Sequence, residues 1–157
     1  MKIFYPAFSL ILCIQLSSEN LKSPPFSLQH LEMADYDHTK SYMAFGLMVN
    51  DQYSGLEVIQ EDSGSGTARI RLNNTLYILK KQSSYKINLK ILNQTYTHKF
   101  VWSTDKVTVE LICYDFLDKH DIEDPESKEE SCYQGIMTVS LGKSKSQFKV
   151  YGYTSSQ

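Results

Sequence analysis

The sequence predicts an all-β protein: an antiparallel β-sandwich or, as the alternative, a small antiparallel β-barrel. Three observations carry this. From Ser41 onward, apolar and polar residues alternate with period two in one segment after another, the pattern of strands with one buried face. About nine such short segments recur at intervals near ten residues, with turn residues between them, which is the spacing of sandwiches and barrels. No long helical repeat separates them, which argues against a parallel α/β sheet.

The elements follow in order. Asn20 to Gln29 holds Pro24-Pro25 and little periodicity, so residues 19–34 read as an extended lead-in or a short helix, with Leu28, Leu31 and Met33 or Ala34 on one face. A single all-β domain spans 35–157. Tyr42 to Val49 is its most apolar strand, with Met43, Phe45, Leu47 and Val49 in phase. Leu56 to Gln60 is a short strand, and Asp62-Ser63-Gly64-Ser65-Gly66 reads as a turn. Thr67 to Leu72 alternates cleanly, Ala68, Ile70 and Leu72 in, Thr67, Arg69 and Arg71 out. Asn73-Asn74 turns the chain into Leu76–Lys80. Gln82-Ser83 is read as a second turn, followed by Tyr85, Ile87, Leu89 and Ile91 alternating with Lys86, Asn88 and Lys90. Tyr96–Trp102, Val107–Cys113, Gly135–Leu141 and Gln147–Tyr153 complete the series.

The N-terminus reads as a signal peptide over residues 1–18. Lys2 precedes an apolar run from Ala7 to Leu16, and Ser17-Ser18 stands before the first acid, Glu19. The run is too short for an ordinary transmembrane helix. The expected product is a secreted, extracellular protein. Two further features agree with export. Cys113 and Cys132 are an even pair once Cys13 leaves with the signal, so a disulfide is expected. Asn73-Asn74-Thr75 and Asn93-Gln94-Thr95 are N-glycosylation sequons at Asn73 and Asn93.

Length bounds the rest. The chain has 157 residues, enough for one ordinary domain. Hydrophobic residues at 41% and charged residues at 22% are those of a globular domain rather than a disordered chain. A net charge of −2 gives no general reason to bind nucleic acid.

That total hides an asymmetry. Tyr114 to Ser131 carries eight acids against two lysines. Asp115, Asp118, Asp121, Glu123, Asp124 and Glu126 make it the candidate partner-binding loop, because loops on rigid scaffolds often carry binding. A Cys113–Cys132 bridge would staple its base, worth about 3 kcal/mol in the chain-entropy model. The acids do not follow the spacing of a calcium loop. Arg69 and Arg71 share the polar phase of one strand, and Lys86 and Lys90 that of another. These four form a candidate basic face for a sulfated glycan or an acidic protein.

Catalytic patterns are missing. There is no His-Glu-x-x-His, Gly-x-Ser-x-Gly or glycine-rich phosphate loop. Asp62-Ser63-Gly64-Ser65 resembles the aspartic-protease motif, but Gln60-Glu61 replaces the apolar strand that precedes that Asp, and one chain supplies one carboxylate where two are needed. His30 and His38 with Asp35 and Asp37 have no spacing that demands a metal. Neither an enzyme, a metal nor a cofactor is expected. The expectation is a secreted glycoprotein binding module that recognises an extracellular protein, receptor or glycan through loops of a sandwich. The alternative is a carrier of a small hydrophobic ligand in a barrel or inter-sheet cavity, without the Gly-x-Trp signature of lipocalins, since the one tryptophan is Trp102.

Overall fold

A computed structural model describes residues 25–36, 41–115 and 131–155. Residues 1–18, where a signal peptide is expected, lie outside them. Among the described residues the strands are β1 (Leu28–Gln29), β2 (Tyr42–Val49), β3 (Gln52–Asp62), β4 (Thr67–Leu72), β5 (Thr75–Ile91), β6 (Gln94–Ser103), β7 (Val107–Asp115), β8 (Cys132–Leu141) and β9 (Ser144–Ser155). Every pairing is antiparallel. Strands β2 to β9 follow one another around a ring, and the β2–β9 pairing closes it into an eight-stranded up-and-down barrel. The all-β reading holds, and the closed barrel is realised rather than two packed sheets.

The strand pattern explains the closure. Along β4, Ala68, Ile70 and Leu72 are buried, while Thr67, Arg69 and Arg71 face out. Val107, Val109, Leu111 and Cys113 of β7, and Met137 and Val139 of β8, fill the same interior. Eight strands enclose an interior of a width that side chains can fill or that can hold one small ligand. The barrel wall also needs close approaches. Gly152 lies under the Phe45 ring, and a Cβ there would collide with that ring and with the Ala44 carbonyl oxygen.

The hairpin turns follow local chemistry. Asn50-Asp51 and Asn73-Asn74 both hold two residues at positive φ, 52° and 59° in the first, 50° and 63° in the second. Asn and Asp tolerate that region and give the primed turns whose twist suits a hairpin.

Two strands depart from simple alternation. Gln82-Ser83 is no turn; β5 runs unbroken from Thr75 to Ile91 with register shifts between Lys81 and Ser83 and between Lys86 and Leu89. Each shift inserts one residue and exchanges the faces beyond it. Tyr85, expected to point inward, is therefore 48% exposed. Strand β4 pairs β5 only as far as Lys80, so the rest of β5 is held by β6 alone. In β3 the register against β2 slips after Phe45 and again between Gly46 and Met48, and Gly55 there has φ +74°.

The lead-in forms the short strand β1 and a 3-10 turn at Met33–Asp35 rather than a helix with one apolar face. Strand β1 pairs Leu28 with Leu72 and Gln29 with Arg71, on the edge of β4 that β3 leaves after pairing Ile59 with Ile70. Phe26 and Leu31 are buried with the core. The Ser27 N–H donates to Asn73 Oδ1 at 2.8 Å, and the Asn73 N–H donates back to the Ser27 carbonyl at 3.0 Å. Residues 26–31 are thus paired with β4 and packed against the barrel.

Candidate functional site

A pocket of about 370 Å³ opens where β1, β2 and β3 meet. Its apolar lining comes from Leu28, Leu47, Val49, Leu56 and Val58. Leu47 pairs with the buried Val150 and so lies on the interior face, as does Val49 two residues on. The slipped register of β3 puts Ser54 and Leu56 at the rim instead of in the ladder. Val49 and Leu56 remain 57% and 52% exposed, which is costly for aliphatic side chains unless something covers them.

The polar side of the pocket includes His30, Glu32 and Arg71. Arg71 is held in place. Its Nη2 lies 2.7 Å and 2.9 Å from the Asp35 carboxylate oxygens, and Nε donates at 3.2 Å. Asp35 Oδ2 also accepts the Glu32 N–H at 2.9 Å. Burial pushes the Asp35 carboxyl up, but the bonds from Arg71 and Glu32 outweigh it and hold it below the usual range. The pocket is thus an apolar floor with a fixed charged corner, the composition of small-molecule sites.

A second polar group sits inside the barrel. Glu61 pairs with Met43 and Ala68 on the interior face. It accepts from Lys81 Nζ at 2.5 Å and from Trp102 Nε1 at 2.5 Å. Lys81 also lies 5.4 Å over the Phe100 ring, which stacks on Trp102 at 5.6 Å. The cluster reaches solvent through a groove of about 680 Å³ between the β3–β4 turn and Lys80–Ser84 of β5. Sequence reasoning ended the strand at Gln60 and missed it. The available signal was Glu61 standing in phase with Ile59, a charge at an inward position.

The predicted site residues fare differently. Cys113 and Cys132 form no disulfide. Cys113 pairs with Gly135 across β7 and β8, three residues from Cys132, a displacement of about 10 Å along a strand. Three is also an odd number, so Cys132 points to the opposite side of the wall from Cys113. A bridge needs Cα atoms within about 7 Å and converging Cβ vectors. The Cys113 thiol is pushed up to about 12, first by burial and then by Asp115, so it is protonated and no nucleophile at neutral pH.

The four basic residues do not make one free face. Arg69 is paired with Asp62 at 2.6 Å and Arg71 with Asp35. Lys86 opposes His98 and Lys90 opposes Thr95; the shift between them puts the two lysines on opposite faces of the ribbon. That Asp62–Arg69 pair also occupies the carboxylate of the protease-like segment, and Ser63–Gly66 is the expected turn. Of the candidate acidic loop, Asp115 ends β7 opposite Tyr133; Asp118, Asp121, Glu123, Asp124 and Glu126 lie outside the described residues. Asn73 and Asn93 both sit exposed in two-residue turns. Among the described residues no group of three or more His, Cys, Asp or Glu is placed to hold a metal ion.

No family model, curated protein or solved structure matches the chain.

Proposed function

We propose that this chain is an exported carrier that holds a small, mainly apolar molecule at the end of its barrel. The observation that carries the proposal is the pocket bounded by Leu28, Leu47, Val49, Leu56 and Val58 with the Arg71–Asp35 corner beside it. Its volume of about 370 Å³ suits a small molecule. Covering Val49 and Leu56, each already about half-buried, would return about 1 kcal/mol apiece. A ligand with one polar end would place that end near His30 and Arg71. The barrel favours this reading over recognition of a macromolecule by the loops of a sandwich. The N-terminal pattern and the two sequons support export and glycosylation.

The test is titration of the full chain with cis-parinaric acid, a fluorescent fatty acid. Saturable binding with one site is expected. Val49→Glu and Leu56→Glu should each weaken it at least tenfold, and both side chains are exposed enough to change without unfolding the barrel. Absence of saturable binding, or affinity unchanged in both variants, would reject the carrier.

A further inference from the structure

We infer that a separate pocket on the barrel wall is a saccharide subsite, and that its occupant is the first sugar of an N-glycan on Asn93 of the same chain. The inference rests on the glycosylation reading above and is independent of the carrier pocket. The pocket has a volume of about 340 Å³ and lies over the outer face of β8 and β9, bounded by Tyr114 of β7, the start of β6 and the β2–β3 turn.

The lining chemistry selects the ligand. The buried Tyr96 meets Tyr114 edge to face with ring centroids 5.8 Å apart, and Tyr114, which is half-buried, offers its remaining aromatic surface to an apolar C–H face. Tyr114 Oη donates to Gln134 Oε1 at 2.7 Å. That bond fixes the Gln134 amide and leaves its two N–H donors for a ligand. Gln94 donates its own N–H to the Thr95 carbonyl at 3.1 Å, leaving an acceptor oxygen. Asp51 and Lys149 stand 3.1 Å apart with side chains 80% and 71% exposed, a carboxylate and an ammonium placed to accept from and donate to neighbouring hydroxyls.

An apolar ligand would desolvate two amides and an ion pair without replacing their hydrogen bonds. An anion would meet a lysine already neutralised by Asp51. A pyranose satisfies both kinds of surface, with its C–H face on Tyr114 and its hydroxyl and acetamido groups on the amides and charges.

The occupant follows from position. Asn93 lies exposed in the Leu92-Asn93 turn, and the next residue, Gln94, already lines the pocket. A sugar on Asn93 is therefore tethered beside the site, and a short tether supplies a high effective concentration. Docking it would clamp the β5–β6 ribbon, whose β5 edge beyond Lys80 lacks a β4 partner, against the wall of β7–β9.

The experiment uses the full chain secreted from eukaryotic cells in a Thr75→Ala background, which removes the other sequon but keeps Asn73 on Ser27. Mass spectrometry reads occupancy at Asn93. Thermal unfolding is then compared for the intact glycan, the glycan trimmed to its first sugar, and Thr95→Ala, which carries none. The first two should share a Tm about 3 °C above the third, the size of shift expected near 1 kcal/mol for a chain of this length. In Asp51→Ala and Gln134→Ala the three forms should converge. Asn93 without glycan overturns both the glycosylation reading and this inference. Full occupancy with no glycan-dependent Tm difference, or with the same difference in wild type and both variants, overturns the docking alone.

Discussion

Glu61 and Lys81 meet inside the barrel from strands that are not neighbours, with β4 lying between β3 and β5. Ala68, the β4 residue opposite Glu61, is fully buried and small enough to let the two side chains pass over it. The Lys81 N–H meanwhile donates to the Gly66 carbonyl at 2.8 Å, the contact after which β5 parts from the β3–β4 hairpin. The ion pair therefore sits where the barrel wall changes from three strands to a two-stranded ribbon.

Removing one partner of that pair should cost more than removing both. Glu61→Leu leaves the Lys81 ammonium and the Trp102 N–H without their acceptor. With Glu61 7% exposed but Lys81 28% exposed, the expected loss is about 2–3 kcal/mol, below the range for fully buried pairs. Glu61→Leu combined with Lys81→Met should recover most of it. Trp102 is the one tryptophan of the chain, so its emission reports the same site during denaturant unfolding. A loss under 0.5 kcal/mol in the single variant, on the order of an ordinary surface change, would mean that the pair is a solvent-screened contact.

The two cysteines should behave as unequal free thiols. Cys113 is fully buried with its thiol pushed up to about 12, while Cys132 is half-buried on the other side of the wall. Brief alkylation of the native protein near pH 8, read by peptide mass, should label Cys132 well ahead of Cys113. Denaturation should make them equivalent. A cross-linked Cys113–Cys132 peptide in non-reduced material would contradict the register of β7 and β8.

Gly152 should tolerate no side chain. Its backbone passes beneath Phe45, the residue it opposes in the β2–β9 ladder. Adding a methyl forces the Phe45 ring or β2 to move, and overpacking of this kind costs about 1–3 kcal/mol. Gly152→Ala should lower the denaturation midpoint accordingly. In a double-mutant cycle Phe45→Val should offset part of the loss, since valine lacks the colliding Cδ1 and Cε1. No recovery would place the clash on the Ala44 carbonyl, where only backbone movement relieves it.

Alternation made most of the barrel legible. Ala68, Ile70 and Leu72, or Val107 to Cys113, declare their face because nothing interrupts period two. The failures have one physical origin: an inserted residue exchanges faces without altering composition. A single shift at Gln82 turned Tyr85 outward, and the next separated Lys86 from Lys90. The same blindness to register made Cys113 and Cys132 look like partners, since both flank one loop yet stand on opposite sides of the wall. The carrier pocket was only half visible. Leu47 and Val49 were in phase, but Leu56 reaches the rim through the slip in β3, and Leu28 through a strand that fills the gap left beside β4. Local pattern carries no information about which edge a distant segment will occupy.

Alkaline pH should loosen the outer wall before it disturbs the core. Tyr153 donates its phenol to the Glu57 carboxylate, and Tyr36 bonds the same group. Both phenols are raised well above the ordinary value of 10.0, first by burial; for Tyr36 the Glu57 charge comes next, and for Tyr153 the hydrogen bonds to Glu57 and Tyr42 come before that charge. Each stays protonated in the folded chain where the unfolded chain has begun to release its proton. Their contribution is complete below about pH 10 and falls as pH climbs above it, because the unfolded state then binds fewer protons. Stability measured by denaturant should drop between about pH 8 and pH 10.5. Tyr153→Phe should be less stable at the lower pH, having lost its bond to Glu57, yet lose less over the interval. Glu57→Gln keeps an acceptor oxygen but removes the charge, so tyrosinate absorbance should appear at lower pH than in the wild type. An unchanged titration in that variant would leave burial alone as the cause.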